Sequence, residues 1–259
     1  MEIHQIYTAN ELRNFTYIIE LNNNTAIVID PWDALKTSQY LDKKNLSLTA
    51  IINTHEHWDH TQGNEDLVKR YNCEVWAHKN GINKIPRLSR TLNTDEVIDL
   101  DNNCQLRVLD TPGHTFAHLC FMVLNNAQPI AVFTGDTLFN AGVGHCRSGG
   151  DEETLFNTIS QHFQHLPNNV VVYPGHDYLE NNLRFTLAIE PKNKMAKAWL
   201  NQVQATSYQA GTIQTTIGDE RCFNTFMRLD NPDIIGHLKL TNPDEKQVFI
   251  ALRGLRDNW

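Results

Sequence analysis

No apolar run in this chain approaches the length of a membrane span, so a helical membrane anchor is not expected. The first residues, Met1-Glu2-Ile3-His4-Gln5, lack the basic and then apolar build of a secretory signal. Cysteine is sparse and unpatterned. Cys73, Cys104, Cys120, Cys146 and Cys222 are odd in number, scattered, and form no CxxC. That points away from a disulfide framework and toward a reducing, cytoplasmic compartment. Positive charge is in deficit too. A net charge of −8 argues against nonspecific binding to nucleic acid or to an anionic membrane. Repeats, low-complexity tracts and long charge runs are absent. What remains is a globular composition, 41% hydrophobic and 20% charged over 259 residues, enough for one large domain or a domain with a small companion. A monomer is the default expectation.

The first two-thirds of the chain alternates short apolar runs with loops. Phe15–Ile19 and Thr25–Ile29 read as adjacent strands across the turn-prone Asn22-Asn23-Asn24. Leu48–Ile52, Leu106–Leu109, Leu119–Leu124, Ile130–Phe133 and Val170–Tyr173 read as further strands. Ala34–Leu41, Gly63–Tyr71 and Asp151–Phe163 have helical spacing, the last capped by Asp151 or Gly150. From Tyr178 onward apolar residues recur at helical spacing. Pro191 marks a break between two helices, and a final helix is predicted from Pro243 to about Asp257. A domain boundary is expected near Asp177.

Four of the strands lead into candidate metal ligands. Leu48–Ile52 precedes Thr54-His55-Glu56-His57-Trp58-Asp59-His60. Leu106–Leu109 leads to His114, Ile130–Phe133 to Asp136, and Val170–Tyr173 to His176. Imidazole and carboxylate ligands suit zinc, iron or manganese. One tetrahedral ion needs about four ligands. Seven therefore suggest two divalent ions sharing a carboxylate, with Asp136 as the bridge. Glycine stands before each of the last three ligands, where a sharp turn is expected. His114 or His176 alone would read as a structural histidine; the convergence of all seven carries the metal reading. His4, His78, His118, His162, His165 and His237 are read as structural, and His145 is kept as a candidate contact.

The H-x-H-x-D-H cluster at 55–60, with His114, Asp136 and His176 downstream, resembles the metallo-β-lactamase superfamily over roughly residues 14–177. That resemblance implies an α/β fold, an αββα sandwich with metals at one edge. A narrower resemblance spans nearly the whole chain. Gly175-His176-Asp177-Tyr178, then Asn181-Asn182-Leu183, and Asn224-Thr225-Phe226-Met227-Arg228 are similar to elements of glyoxalase II, the hydroxyacylglutathione hydrolases. This implies a catalytic domain at 1–177 and a small helical substrate-binding domain at 178–259. It also implies that His55, His57 and His114 hold one ion and Asp59, His60 and His176 the other. Asp136 would bridge them, with Asp59 and Asp136 as the catalytic carboxylates. The implied reaction, part of methylglyoxal detoxification, is attack of a metal-activated water on S-D-lactoylglutathione, giving glutathione and a 2-hydroxy acid. Arg253 and Arg256, three apart on a predicted helix, would bind the glutathione carboxylate, aided by Tyr178 and by His145 or Arg147.

One loop departs from the family pattern. After Gly142-Val143-Gly144 the family carries a basic residue, an aromatic two positions later, then Glu-Gly. This chain has His145-Cys146-Arg147-Ser148-Gly149. Either Arg147 supplies the charge from a shifted position or the glutathione site is reshaped. Three other readings stand beside thioester hydrolysis. One is an iron-dependent glutathione persulfide dioxygenase, against which the long helical C-terminal segment counts. Another is a hydrolase of the same fold acting on a lactone or a different acyl thioester. The last is a non-catalytic binding module, disfavoured by the complete ligand set.

Overall fold

Two six-stranded sheets pack face to face in the computed structural model of the chain, which describes residues 1–205, 209 and 211–259. The first sheet runs in chain order: β1 (Glu2–Tyr7), β2 (Phe15–Leu21), β3 (Thr25–Ile29), β4 (Ser47–Ile52), β5 (Glu74–His78) and β6 (Arg90–Leu92). Next come β7 (Val97–Asp99), β8 (Cys104–Asp110), β9 (Leu119–Asn125) and β10 (Gln128–Gly135). A small hairpin, β11 (Leu138–Phe139) and β12 (Gly142–Val143), precedes β13 (Val171–Pro174) and β14 (Thr215–Thr216). The second sheet has the order β14-β13-β10-β9-β8-β7.

Alternation within the strands builds the layers. On β2 and β3, Tyr17, Ile19, Ile27 and Ile29 face the second sheet, where Phe121, Val123 and Phe133 meet them. Ile18, Ala26 and Val28 face outward and are covered by Leu41 and Leu67. A side-chain period of two on a strand buried on both faces demands apolar residues throughout, as these strands have. The covering helices are α1 (Ala34–Lys44), the single turn α2 (Trp58–Thr61) and α3 (Asn64–Tyr71). The outer face of the second sheet is covered by α4 (Glu152–His162), capped by Asp151, which accepts from Thr154 N. The remaining helices are α5 (Leu179–Ile189), α6 (Lys194–Val203), α7 (Ile217–Phe223), α8 (Pro232–Leu238) and α9 (Glu245–Arg256). Val248, Phe249 and Leu252 of α9 join Met122, Leu155 and Val172 in one core, so the C-terminal helices share apolar packing with the sandwich.

Two expectations need correction. The last third is not purely helical, since Thr215–Thr216 pairs with β13 at the sheet edge. Two polar residues give no strand pattern of their own; the exposed edge of β13 supplies it. Gly175 makes no left-handed turn, unlike Gly113 (φ 143°) and Gly135 (φ 46°). It must be glycine because a Cβ there would collide with the Asp136 carboxylate.

At one edge the two sheets are stitched together. Leu119 N donates to Thr54 O (2.7 Å), Phe15 N donates to Gly175 O (2.8 Å), and the Tyr17 hydroxyl donates to Pro174 O (2.6 Å). The carboxyl ends of β4, β8, β10 and β13 open at this edge.

Candidate metal centre

All seven candidate ligands meet at that edge. His55 Nε2 lies 3.0 Å from His57 Nδ1, which lies 3.0 Å from His114 Nε2. On the other side His60 Nε2 lies 3.2 Å from His176 Nε2 and 3.4 Å from Asp59 Oδ2. Asp136 sits between, with Oδ2 at 3.2 Å from His176 and 3.5 Å from His114 and Oδ1 at 3.4 Å from His60. His55, His60, His114 and His176 are buried.

The outer hydrogen bonds fix what these rings offer. A carbonyl or carboxylate oxygen only accepts, so the ring nitrogen facing it carries the proton and the opposite nitrogen is a bare lone pair. His114 Nδ1 donates to His145 O (2.6 Å), His176 Nδ1 to Leu12 O (2.8 Å), and His57 Nε2 to Ser148 O (3.1 Å). His60 Nδ1 donates to Asp30 Oδ2 (2.9 Å). Thr54 Oγ1 gives its proton to Asp30 Oδ2 (2.6 Å) and so accepts from His55 Nδ1 (3.0 Å). Five imidazole lone pairs and two carboxylates therefore converge. Facing lone pairs at these distances repel, and a cation held between them relieves the repulsion. Asp136 Oδ1 is moreover buried and accepts no hydrogen bond. This donor set fits divalent metal ions.

The electrostatics agree. Burial pulls the His55 and His114 pKa values down, His114 to about 4, so both rings are neutral at pH 7, as a metal ligand must be. Burial also opposes charge on His60, yet Asp136, Asp30 and Asp59 together hold its pKa well above the ordinary imidazole range, so a metal ion at His60 Nε2 would take the place of a second proton there. Burial would raise Asp59 and Asp136; the histidines around them hold both carboxyls well below the usual range. The site is an excess of negative charge that draws positive charge inward.

Two cavities of about 440 and 360 Å³ share Phe139, His145, Ser148 and Tyr178 and form one groove. The His/Asp cluster floors one end, and Arg147, Arg253, Arg256, Asp257 and Trp259 line the other. Tyr178 stacks flat on His176 (4.9 Å, 1° between planes). His145 is exposed and stands edge-on to His114 at 5.1 Å. The expected arginine pair divides. Arg256 is half-buried over Phe185 and donates to Asn182 Oδ1 (3.1 Å). Arg253 is only 3% exposed and is turned to backbone, donating from Nη1 to Val143 O (2.9 Å) and Gly144 O (3.1 Å). Arg147 lies on the surface and donates to Asp257 Oδ2 (3.1 Å) and Asp257 O (2.6 Å).

Three residues of the site escaped the sequence reading. Asp30 accepts from Thr54 N, Thr54 Oγ1 and His60 Nδ1. It ends the apolar run Ile27-Val28-Ile29, the same pattern that flagged the four ligand strands, so the signal was there. His118, read as structural, accepts from Asp136 N at 3.1 Å and stacks on His55 at 5.0 Å. Asn14 Nδ2 donates to Asp59 Oδ2 (2.9 Å). Neither of these last two stands out by spacing.

Residues 9–176 match the family model for the metallo-beta-lactamase superfamily, and the chain belongs to that superfamily. Solved structures share the fold. BLEG-1 B3 metallo-beta-lactamase superposes with a TM-score of 0.67 at 20% identity, covering 87% of this chain and 99% of that one. ETHE1 from Myxococcus xanthus superposes with a TM-score of 0.67 at 22% identity, covering 99% and 98%. Residues 177–259 match the model for the hydroxyacylglutathione hydrolase C-terminus. The chain is 42% identical to hydroxyacylglutathione hydrolase of Nitrosococcus oceani and 41% identical to that of a Polaromonas species, with 100% of each chain covered in both cases. Within the superfamily the chain belongs to the hydroxyacylglutathione hydrolase family.

Proposed function

We propose that this chain is a metal-dependent thioesterase that takes S-D-lactoylglutathione, or a related 2-hydroxyacylglutathione, to glutathione and the 2-hydroxy acid. One observation carries the chemistry: five inward-facing imidazole lone pairs and two ionised carboxylates floor one end of a groove with arginines at its other end. Full-length kinship with proteins named hydroxyacylglutathione hydrolase supports the substrate. In this reading His55, His57 and His114 hold one divalent ion and Asp59, His60 and His176 the other, with Asp136 between them. Zinc is the first choice and iron or manganese the alternatives.

Bound divalent ions supply Lewis acidity, polarising a carbonyl oxygen and lowering the pKa of water toward ~7. The protein does the rest. Asn14 holds Asp59, and the His118 ring holds the backbone of Asp136, so both carboxylates stay aimed at the reaction space. Phe139 and Tyr178 wall the groove and position the thiol carrier, whose carboxylate reaches Arg256, with His145 and Arg147 along the way. Charge-assisted contacts there offset repulsion from an acidic protein. A thiolate leaves readily, so no separate general acid is required. Residues 1–177 then act as the catalytic unit and 178–259 as the carrier-binding unit. A monomer suffices, since one chain supplies every ligand, and five free thiols fit a reducing cytoplasm.

A substrate panel with bound metal quantified tests this reading. S-lactoylglutathione should be turned over far faster than coenzyme A thioesters or lactones. A preference for either of those, or oxygen uptake on glutathione persulfide by a single-iron form, would overturn it.

A further inference from the structure

A run of six backbone groups beside the metal cluster is gripped almost entirely by side chains from the C-terminal segment. Asn140 O accepts from Asn182 Nδ2 (2.9 Å), Ala141 N donates to Glu220 Oε2 (2.8 Å), and Gly142 O accepts from Asn224 Nδ2 (3.1 Å). Val143 O and Gly144 O both accept from Arg253 Nη1. The next carbonyl, His145 O, accepts from His114 Nδ1, and Ser148 O, three residues on, accepts from His57 Nε2. Two of the three imidazoles in the first metal set thus take their orientation from this one loop.

The loop has little freedom at either end. A Cβ on Gly144 would collide with Asp136 O and press on His114 Nδ1, and one on Gly150 would collide with the Gly113 and His114 carbonyls. Its middle is pinned from the same helix end. Arg253 Nη2 lies 3.0 Å from Asp257 Oδ1, and Asp257 in turn accepts from Arg147.

We infer that Arg253 is a positioning residue for the metal centre: it holds the 143–148 loop so that His114 and His57 keep their protons outward and their lone pairs on the ion. Its two Nη groups are committed to two carbonyls and one carboxylate, while its Nε, which has no hydrogen-bond partner, lies in the lining of the groove beside Arg256. The inference rests on the metal centre proposed above but not on the substrate.

The test is a zinc titration of chelator-stripped protein against a chromophoric competitor. Lysine at 253 keeps the charge but cannot span two carbonyls and Asp257 together. Arg253→Lys should bind one of the two ions roughly 10- to 100-fold more weakly, the cost usual for losing an outer partner of a metal ligand. Arg147→Met releases the same loop from its exposed side, where folding is not at stake, and should weaken the same ion by several-fold. In imidazole nitrogen NMR, the outward His114 N–H signal of wild type should be lost or exchange-broadened in Arg253→Lys. If wild type binds two ions and both variants match it within twofold, the positioning role is wrong. If wild type itself binds none, the metal centre is wrong and the failure lies there.

Discussion

The two ends of the groove are built on different principles. At the metal end every imidazole is held from behind by a carbonyl, a carboxylate or a hydroxyl that already spends its own proton. At the arginine end, the Arg147 side chain is 59% exposed and Trp259 is 55% exposed, and Arg256 rests on a single asparagine oxygen and a ring face. Buried, fully partnered groups are preorganised and intolerant of change; half-exposed ones adapt. The contrast separates what the protein does to a carbonyl from which carrier it accepts. It also means that side chains at 145–149 can vary while the backbone still serves the histidines.

The sharpest way to break the metal end is Asp136→Ala. It removes the carboxylate that faces both sets of histidines and leaves surplus imidazoles unpaired. Metal analysis should find the paired ions lost. Turnover should fall about a thousandfold or more, since several kcal/mol of charge stabilisation go with them. Full activity in this variant would refute the bridge.

Next comes Asp30→Asn, which touches no proposed ligand atom. An amide NH₂ in place of Oδ2 faces the His60 Nδ1 proton and pushes that ring to the other tautomer, with its proton where the ion belongs. Metal affinity should fall roughly 10- to 100-fold, with the fold intact. Circular dichroism alongside a metal titration separates the two effects.

At the opposite end Arg256→Met should leave metal content alone. It should raise KM for the glutathione thioester about tenfold, the low end for a charge-assisted hydrogen bond at a partly solvated site. A small thioester lacking the glycyl carboxylate should show no such change. Equal losses on both substrates would mean that Arg256, like Arg253 and Arg147, acts on the metal end rather than on the carrier.

How much of this was legible in the sequence follows the same divide. The metal end could be read because strand ends and ligands are local signals: an apolar run, then His or Asp. The principal strands and helices fell where periodicity put them, to within a few residues. Asp30 obeys the same rule but stands alone, so no cluster marks it. His118, Asn14 and the orientation of Arg253 depend on contacts between residues far apart in the chain, which spacing does not encode. Arg253 and Arg256 share a helix and look equivalent on a helical wheel. Both line the groove, but packing of α9 behind the β11–β12 hairpin turns Arg253 to the Val143 and Gly144 carbonyls and leaves Arg256 half-buried. Strands β1, β5, β6, β7 and β14 were also silent. They are short or mixed in polarity, and the sheet neighbours they pair with define them.

The smallest expected effect lies behind the hairpin, where the comparison can be sharpened without touching either end. Glu220 is fully buried, and burial pushes its carboxyl up to about 8 despite hydrogen bonds from Thr215, Asn224 and Ala141 N. In the unfolded chain it titrates near the ordinary glutamate value of 4.5. The folded state therefore keeps a proton that the unfolded state has given up between those two values. This contribution to stability is fully present below the unfolded pKa, declines by roughly 1.4 kcal/mol per pH unit through the interval, and is gone above about 8. Glu220→Gln preserves the shape, with Oε1 accepting from Ala141 N and Asn224 and the amide donating to Thr215 Oγ1, and it removes the titration. The variant should match wild type in turnover at pH 7 and gain on it in denaturant midpoint as pH rises from 5 to 8. Parallel stability curves across that range would mean that Glu220 is ionised in the fold. The hairpin would then be held by a buried charge rather than by a neutral acid.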